Sequence, residues 1–171
     1  MEKIRSEAWH RKLWQLAEEL GVRFNDLSLL QQALTHTSYA NESKGNIVHN
    51  ERLEFLGDAV LELASSTYLY QHFPNMPEGQ LTKIRASIVC SKTLAKLARG
   101  LHLGDYLLLG HGEEMSGGRD RQTNLEDTFE SIIGAIYLDQ GWETARDYVM
   151  RQLNPEFQQV AKGLILKDYK S

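Results

Sequence analysis

Cysteine is nearly absent: Cys90 is the only one in the chain. That excludes an internal disulfide, and it excludes a zinc site assembled from thiolates. Proline is scarce too, with Pro74, Pro77 and Pro155 the whole set, so few helix breaks are imposed. No apolar run approaches the ~20 residues that span a bilayer. The first twenty residues, MEKIRSEAWHRKLWQLAEEL, carry charge throughout and lack an apolar stretch, so they are not read as a signal peptide. An excess of positive charge is also missing. Asp plus Glu number 23 against 19 Lys plus Arg, for a net charge of -4. A basic coat for nucleic acid is excluded, although net charge hides local patches. These absences describe a protein of a reducing cytoplasm with no membrane association.

What is present suffices for a core. Apolar residues make up 42% of the 171 and charged residues 25%, which excludes disorder as the dominant state. The apolar residues follow helical rather than strand spacing. Trp9, Leu13, Leu16, Ala17 and Leu20 recur at helical intervals, with Gly21 placed as a C-cap. A second helix starts near Asn25 or Asp26 and carries Leu27, Leu30 and Leu34. Residues 39–49 read as a polar loop. A long helix runs from about Asn50 to Gln71 and stops before two prolines. Another begins near Glu78. Ser91 reads as the N-cap of a short helix ending at Gly100. Residues 110–123 form a second polar, glycine-rich loop. A strongly apolar helix spans about Leu125 to Asp139. One more covers roughly 142–153, and a short one follows Pro155. The fold class is all-α, a compact multi-helix bundle.

The long helix carries the chemistry. At ~100° per residue, Glu51, Glu54, Asp58 and Glu62 share one narrow face of a mostly apolar helix. Such like charges repel, and Arg52, the only nearby base, points elsewhere. The helix from Leu125 repeats the theme with Asp127 and Glu130. A single acidic pair at this spacing is usually a solvated face, but two pairs on two apolar helices are not. Gly57 and Gly134 lie beside the acids and permit close backbone approach. If the helices pack acid face to acid face, Glu54, Asp58, Asp127 and Glu130 converge. Carboxylates so placed need a cation or a shifted pKa. All-oxygen donors select Mg²⁺ or Mn²⁺, and the chemistry that fits is phosphodiester hydrolysis by a metal-activated water. A di-iron carboxylate bundle would need Glu-x-x-His pairs, which neither helix has.

The stretch Asn50-Glu51-Arg52-Leu53-Glu54-Phe55-Leu56-Gly57-Asp58-Ala59-Val60-Leu61 resembles the signature of the ribonuclease III family over its whole length. Leu34 to Tyr39, Pro77 to Gly79, Arg85 to Val89 and Glu126 to Asp139 resemble further family blocks, in order. The resemblance implies the all-helical endonuclease domain of that family and a homodimer with a valley for double-stranded RNA. It implies cleavage to 5′-phosphate and 3′-hydroxyl ends with short 3′ overhangs, in processing of rRNA precursors and mRNA. It implies Mg²⁺, replaceable by Mn²⁺, and no organic cofactor. By position, Glu54, Asp58, Asp127 and Glu130 resemble the metal-site acids, with Asp58 and Glu130 the residues called catalytic. Glu51 and Glu78 resemble accessory acids. Glu62 is given a structural role. Bacterial members usually continue into a double-stranded-RNA-binding domain, so residues 1–160 read as the nuclease domain and 161–171 as a linker and the start of that further domain. The alternative is a catalytically inactive relative that holds RNA or a ribosomal particle, but such relatives lose their acids.

Smaller signals remain. Arg119 and Arg121, in a glycine-rich loop, could grip phosphates, as could Lys83. Thr37, Ser38 and Tyr39 could hydrogen-bond the RNA backbone or cap a helix. His36 and His49 read as packing or capping residues, and Cys90 as a small core residue. Apolar residues around Phe55 and on the stretch 59–68 are candidates for the dimer interface that the family resemblance implies.

Overall fold

The computed structural model describes residues 2–170, with side chains described from Lys3 to Leu164. Among these residues every regular element is a helix, and the only β pairing is an isolated bridge between Thr35 and Leu108. In chain order the helices are α1 (Glu2–Arg5), α2 (Glu7–Leu20), α3 (Leu27–Ala33), α4 (Thr37–Glu42), α5 (Glu51–His72), α6 (Glu78–Ile88), α7 (Ser91–Gly100), α8 (His111–Met115), α9 (Gln122–Gln140) and α10 (Trp142–Lys170). Short 3₁₀ turns lie at Leu103–Tyr106 and Gly118–Asp120.

The ends of several helices follow from local chemistry. Ser6 accepts from the Trp9 N–H to start α2, and Gly21 ends it at φ 70°, a left-handed conformation that only glycine adopts without cost. Asp26 accepts from the Ser28 N–H to start α3. α9 is the organising helix. From Thr128 to Ile136 every residue is buried, most of them apolar, with Thr128, Glu130 and Ser131 the polar members. α5 crosses it on one face, and α3, α7 and α10 pack around it. Trp9, Leu16, Leu61, Phe129, Tyr148 and Leu153 sit in the resulting core.

Four local expectations need correction. Residues 39–42, expected in a loop, belong to α4, with His36 as its cap: His36 Nδ1 accepts from the Ser38 N–H at 3.1 Å. The stretch 110–123 holds α8 and a 3₁₀ turn, because its charged side chains close on one another instead of on water. Ser91 is the first residue of α7 and Cys90 takes the cap position, half-exposed rather than in the core. The last helix does not break at Pro155; α10 runs through it, held on the core by the buried Leu153 and Phe157 on either side. The linker expected at 161–171 is helical backbone as far as Lys170, while Ser171 lies outside the described residues.

Candidate metal centre at an acidic helix crossing

Two glycines decide how closely α5 and α9 approach. A Cβ placed on Gly57 would lie 1.7 Å from the Glu130 carbonyl oxygen. A Cβ on Gly134 would lie 2.3 Å from the Leu53 carbonyl oxygen. Both are impossible contacts, so any side chain at either position would force the helices apart. Backbone thus meets backbone directly beside the acids.

The consequence is a carboxylate cluster. Glu54 on α5 and Asp127 and Glu130 on α9 each present an oxygen, and these oxygens lie within 4.8 Å of one another. Asp58, one turn beyond Glu54, shares a hydrogen bond with the Glu130 carboxyl. Burial costs a charged carboxylate its hydration, and neighbouring acids add repulsion. Burial therefore pushes Glu130 up to about 9, reinforced by the hydrogen bond to Asp58 and its charge. Burial, the charge of Asp127 and a hydrogen bond to it push Glu54 up to about 7. Asp127 is also held above the ordinary aspartate range, chiefly by burial. Without a cation, Glu54, Asp127 and Glu130 are all held above their ordinary range, so the protonated form of each is favoured. A divalent cation would remove the need for those protons. The donor set, all oxygen with a buried member on a rigid helix, fits Mg²⁺ or Mn²⁺.

Further acids surround the cluster. Glu51 is exposed and acts at range, raising Glu54 and Asp127. Glu126 was not singled out from sequence, yet its charge bears on Glu54, Asp127 and Glu130 alike. Its spacing four residues before Glu130 was the available signal. Glu78 is not in the cluster; it opens α6, exposed, and accepts from Thr82 Oγ1 at 3.1 Å. Glu62 leaves the stripe to pair with Arg85 at 3.1 Å, a structural role.

The basic and hydroxyl candidates are mostly engaged within the chain. Arg119 bonds Glu114 through Nε at 2.8 Å and through an Nη at 2.9 Å, and donates to the Gly104 and Leu107 carbonyls at 2.7 and 2.9 Å. Arg121 pairs with Glu113 and donates to the Ser116 carbonyl. Ser38 Oγ accepts from the Gly110 N–H at 2.8 Å and lies 2.7 Å from His36 Nδ1. Tyr39 is half-buried against the core beside Thr37. Lys83 is exposed on α6. His49, like His36, caps: its Nδ1 accepts from the Glu51 N–H at 3.4 Å.

A family model described as Ribonuclease-III-like matches residues 26–157. The chain belongs to the ribonuclease III family. Ribonuclease 3 of Pelotomaculum thermopropionicum is 52% identical over 161 residues, covering 94% of this chain and 67% of that protein. Ribonuclease 3 of Desulforamulus reducens is 52% identical over 158 residues, covering 92% and 64%. The chain thus spans about two thirds of the length of these curated relatives. A solved nuclease domain of ribonuclease III from Campylobacter jejuni superimposes with a TM-score of 0.77 at 43% identity, covering 84% of this chain and 96% of that one. Dicer from Giardia intestinalis superimposes at a TM-score of 0.67 and 26% identity, over 88% of this chain and 20% of Dicer. The all-α ribonuclease III endonuclease fold expected from sequence is therefore the fold observed.

Proposed function

We propose that this ribonuclease III family chain is the nuclease domain of a metal-dependent endonuclease acting on double-stranded RNA. The observation that carries the reading is the convergence of Glu54, Asp127 and Glu130 oxygens within 4.8 Å at a crossing that only glycines allow. These three acids, with Asp58 against Glu130, would hold Mg²⁺ or Mn²⁺. When bound, the cation supplies a lowered pKa for water and charge neutralisation at the scissile phosphate. The protein's own part is positioning. Glu54 and Asp127 face each other across the crossing, and Asp58 restrains the Glu130 carboxyl, so the donors are preset on two rigid helices. Burial of Glu130 keeps bulk water from one side, where an ionised carboxylate acts more strongly than in the open. Hydrolysis then yields 5′-phosphate and 3′-hydroxyl ends, with short 3′ overhangs if two such sites act across a duplex.

Two sites require two copies. Phe55 is 82% exposed on α5, and Leu63 and Leu138 are each 55% exposed. Beside them lies a groove of about 300 Å³ lined by Leu56, Ala59, Val60, Leu63, Tyr137 and Trp142. A projecting ring next to an apolar groove is self-complementary, as a twofold homodimer demands. The C. jejuni domain is likewise described as having a region involved in dimer formation. Glu51 and Glu78 are proposed as accessory acids toward the RNA. Thr37, Ser38, Tyr39, Lys83, Arg119 and Arg121 are proposed as RNA contacts, of which Arg119 and Arg121 would have to leave Glu114 and Glu113. Processing of rRNA precursors and mRNA in the cytoplasm completes the proposal; no helix among the described residues is long and apolar enough to cross a membrane.

The test is cleavage of a long RNA duplex with and without Mg²⁺, followed by analysis of the ends. Metal-dependent fragments with 5′-phosphates are expected. Duplex binding without cleavage in Mg²⁺ or Mn²⁺ would overturn the proposal in favour of an inactive RNA-holding domain.

A further inference from the structure

The glycines set how closely α5 and α9 approach and restrict sliding between them. A second feature bonds the acid-bearing turns of the two helices to each other. Asn50 stands at the N-cap of α5, where an asparagine side chain ordinarily accepts from an N–H of its own first turn. Here it makes no such bond. Its Nδ2 instead donates at 3.0 Å to the carbonyl of Ala33, and its backbone N–H donates at 3.0 Å to the carbonyl of Thr35. The segment just beyond Ala33 is itself clipped to Leu108, by Leu108 N–H to Leu34 O at 2.9 Å and His36 N–H to Leu108 O at 3.0 Å. Asn50 is thus anchored to the frame of the domain, and its side chain serves that anchor rather than its helix.

The Asn50 carbonyl accepts from the Glu54 N–H at 2.9 Å and from Ser131 Oγ at 3.2 Å. Ser131 Oγ also lies 2.7 Å from the Asp127 carbonyl. Its single proton is shared between a carbonyl of α9 at Asp127 and the carbonyl that starts the Glu54 turn of α5. Both residues are buried, with Asn50 6% and Ser131 0% exposed, so water does not compete for these groups. We infer that Asn50 and Ser131 are positioning residues, which hold the Glu54 turn of α5 in register with the Asp127 turn of α9 and so set the affinity of the acid cluster for a divalent cation. The inference rests on the metal-site reading above. Donor atoms must be held to within about half an ångström for a tight site, which a sliding contact between helices would not ensure.

The chain carries its own controls. Ser65 and Thr128 are equally buried hydroxyls, but each bonds only within its helix, to Leu61 O at 2.6 Å and Asn124 O at 2.7 Å. The experiment follows the melting temperature of the full chain as Mn²⁺ is titrated, alongside cleavage of an RNA duplex at limiting Mn²⁺. Ser131→Ala should move the Mn²⁺ midpoint upward by about three- to tenfold, the factor a single buried hydrogen bond can supply. Asn50→Ser keeps a good helix cap but cannot reach Ala33, and should move it similarly. Ser65→Ala and Thr128→Val should lower the metal-free melting temperature and leave the midpoint in place. If all four variants shift the midpoint alike, or Ser131→Ala and Asn50→Ser leave it unmoved, the residues are structural only and the inference is overturned. Should Ser131→Ala fail to fold, Asn50→Ser decides by the same criterion. A parent protein that neither melts higher in Mn²⁺ nor cleaves duplex RNA would bring down the metal-site reading first, and this inference with it.

Discussion

Two parts of this molecule concentrate acid, and they manage it in opposite ways. At the α5–α9 crossing, Glu54, Asp58, Asp127 and Glu130 face one another with no basic side chain bonded to them among the described residues, and burial pushes Glu54 and Glu130 upward. In the stretch from Gly110 to Arg121, Glu113 and Glu114 are each given a guanidinium. Hydrogen bonds from Asn124 and Arg121 hold Glu113 below the ordinary glutamate range, and the hydrogen bond from Arg119 does the same for Glu114. The second region is complete in itself. The first is unbalanced until something positive arrives. Acidic residues alone therefore do not mark a site; acids whose counter-charge the chain does not supply do.

The largest expected effect strikes the unbalanced region. Glu130→Gln keeps the shape and removes the charge. Loss of one carboxylate from a metal site that stabilises the transition state by several kcal/mol should cut duplex cleavage by about a thousandfold. RNA binding, followed by gel shift, should persist. A variant within a few-fold of the parent at limiting Mg²⁺ would erase the distinction between the two regions.

Next is the crossing itself. Gly57→Ala puts a Cβ into the Glu130 carbonyl, which the backbones cannot absorb without separating. A loss of about 3 kcal/mol in urea denaturation is expected, with cleavage lost in parallel. Gly112→Ala, on α8 with nothing near its Cβ, should cost far less. Equal losses would mean that the crossing is not tightly packed.

The pH dependence of the metal-free protein separates the regions by sign. An unfolded glutamate titrates near 4.5, whereas folded Glu130 titrates near 9. Between those values the folded state holds a proton that the unfolded state has released, so stability falls as pH rises through that window. Glu54 adds to the fall between 4.5 and about 7. Glu113 and Glu114 act oppositely: their folded values are lowered, so their stabilisation is present above 4.5 and lost on acidification. Melting temperatures across pH 5 to 9 should therefore decline in the parent and decline less in Glu130→Gln, which should be the more stable protein at the alkaline end. Parallel curves would show that the buried acid is not the source.

The smallest effect belongs to the balanced region. Arg119→Ala breaks a partly exposed ion pair and two bonds to backbone carbonyls, and should cost about 1 kcal/mol with metal dependence unchanged. A tenfold or greater loss of cleavage in a variant of unchanged stability would instead place Arg119 against RNA.

What was legible in the sequence was what local periodicity carries. The 3.6-residue repeat placed α2, α5, α6 and α9 to within a few residues, and the same repeat lined up Glu54 with Asp58 and Asp127 with Glu130. Gly57 and Gly134 could be read as permissive because they sit beside those acids. The short helices α3 and α7 were legible too, but α4 and α8 were not. The helices α4 and α8 are too brief to show a period; His36 caps α4 locally, while Glu42 and Glu113 accept from the His111 N–H and the Asn124 side chain farther along the chain. The continuity of α10 through Pro155 was hidden for the same reason, since proline predicts a break unless packing on both sides overrides it. Glu126 does carry a spacing signal, four residues before Glu130, but its effect is through-space charge rather than a bond.

By itself, then, the sequence determined the helical class, the acid pairs and the glycines, because each is a property of neighbours within one or two turns. Only the tertiary structure decided which acids lose their water, that Glu130 meets Asp58 while Glu62 leaves to Arg85, and that Arg119 and Arg121 turn inward. It also decided that the Asn50 side chain reaches away from its own helix toward Ala33 and that the Asn50 carbonyl accepts from the Ser131 hydroxyl. The reason is separation along the chain. Ser131 lies 81 residues from Asn50, and a bond over that distance exists only once the helices between them have packed.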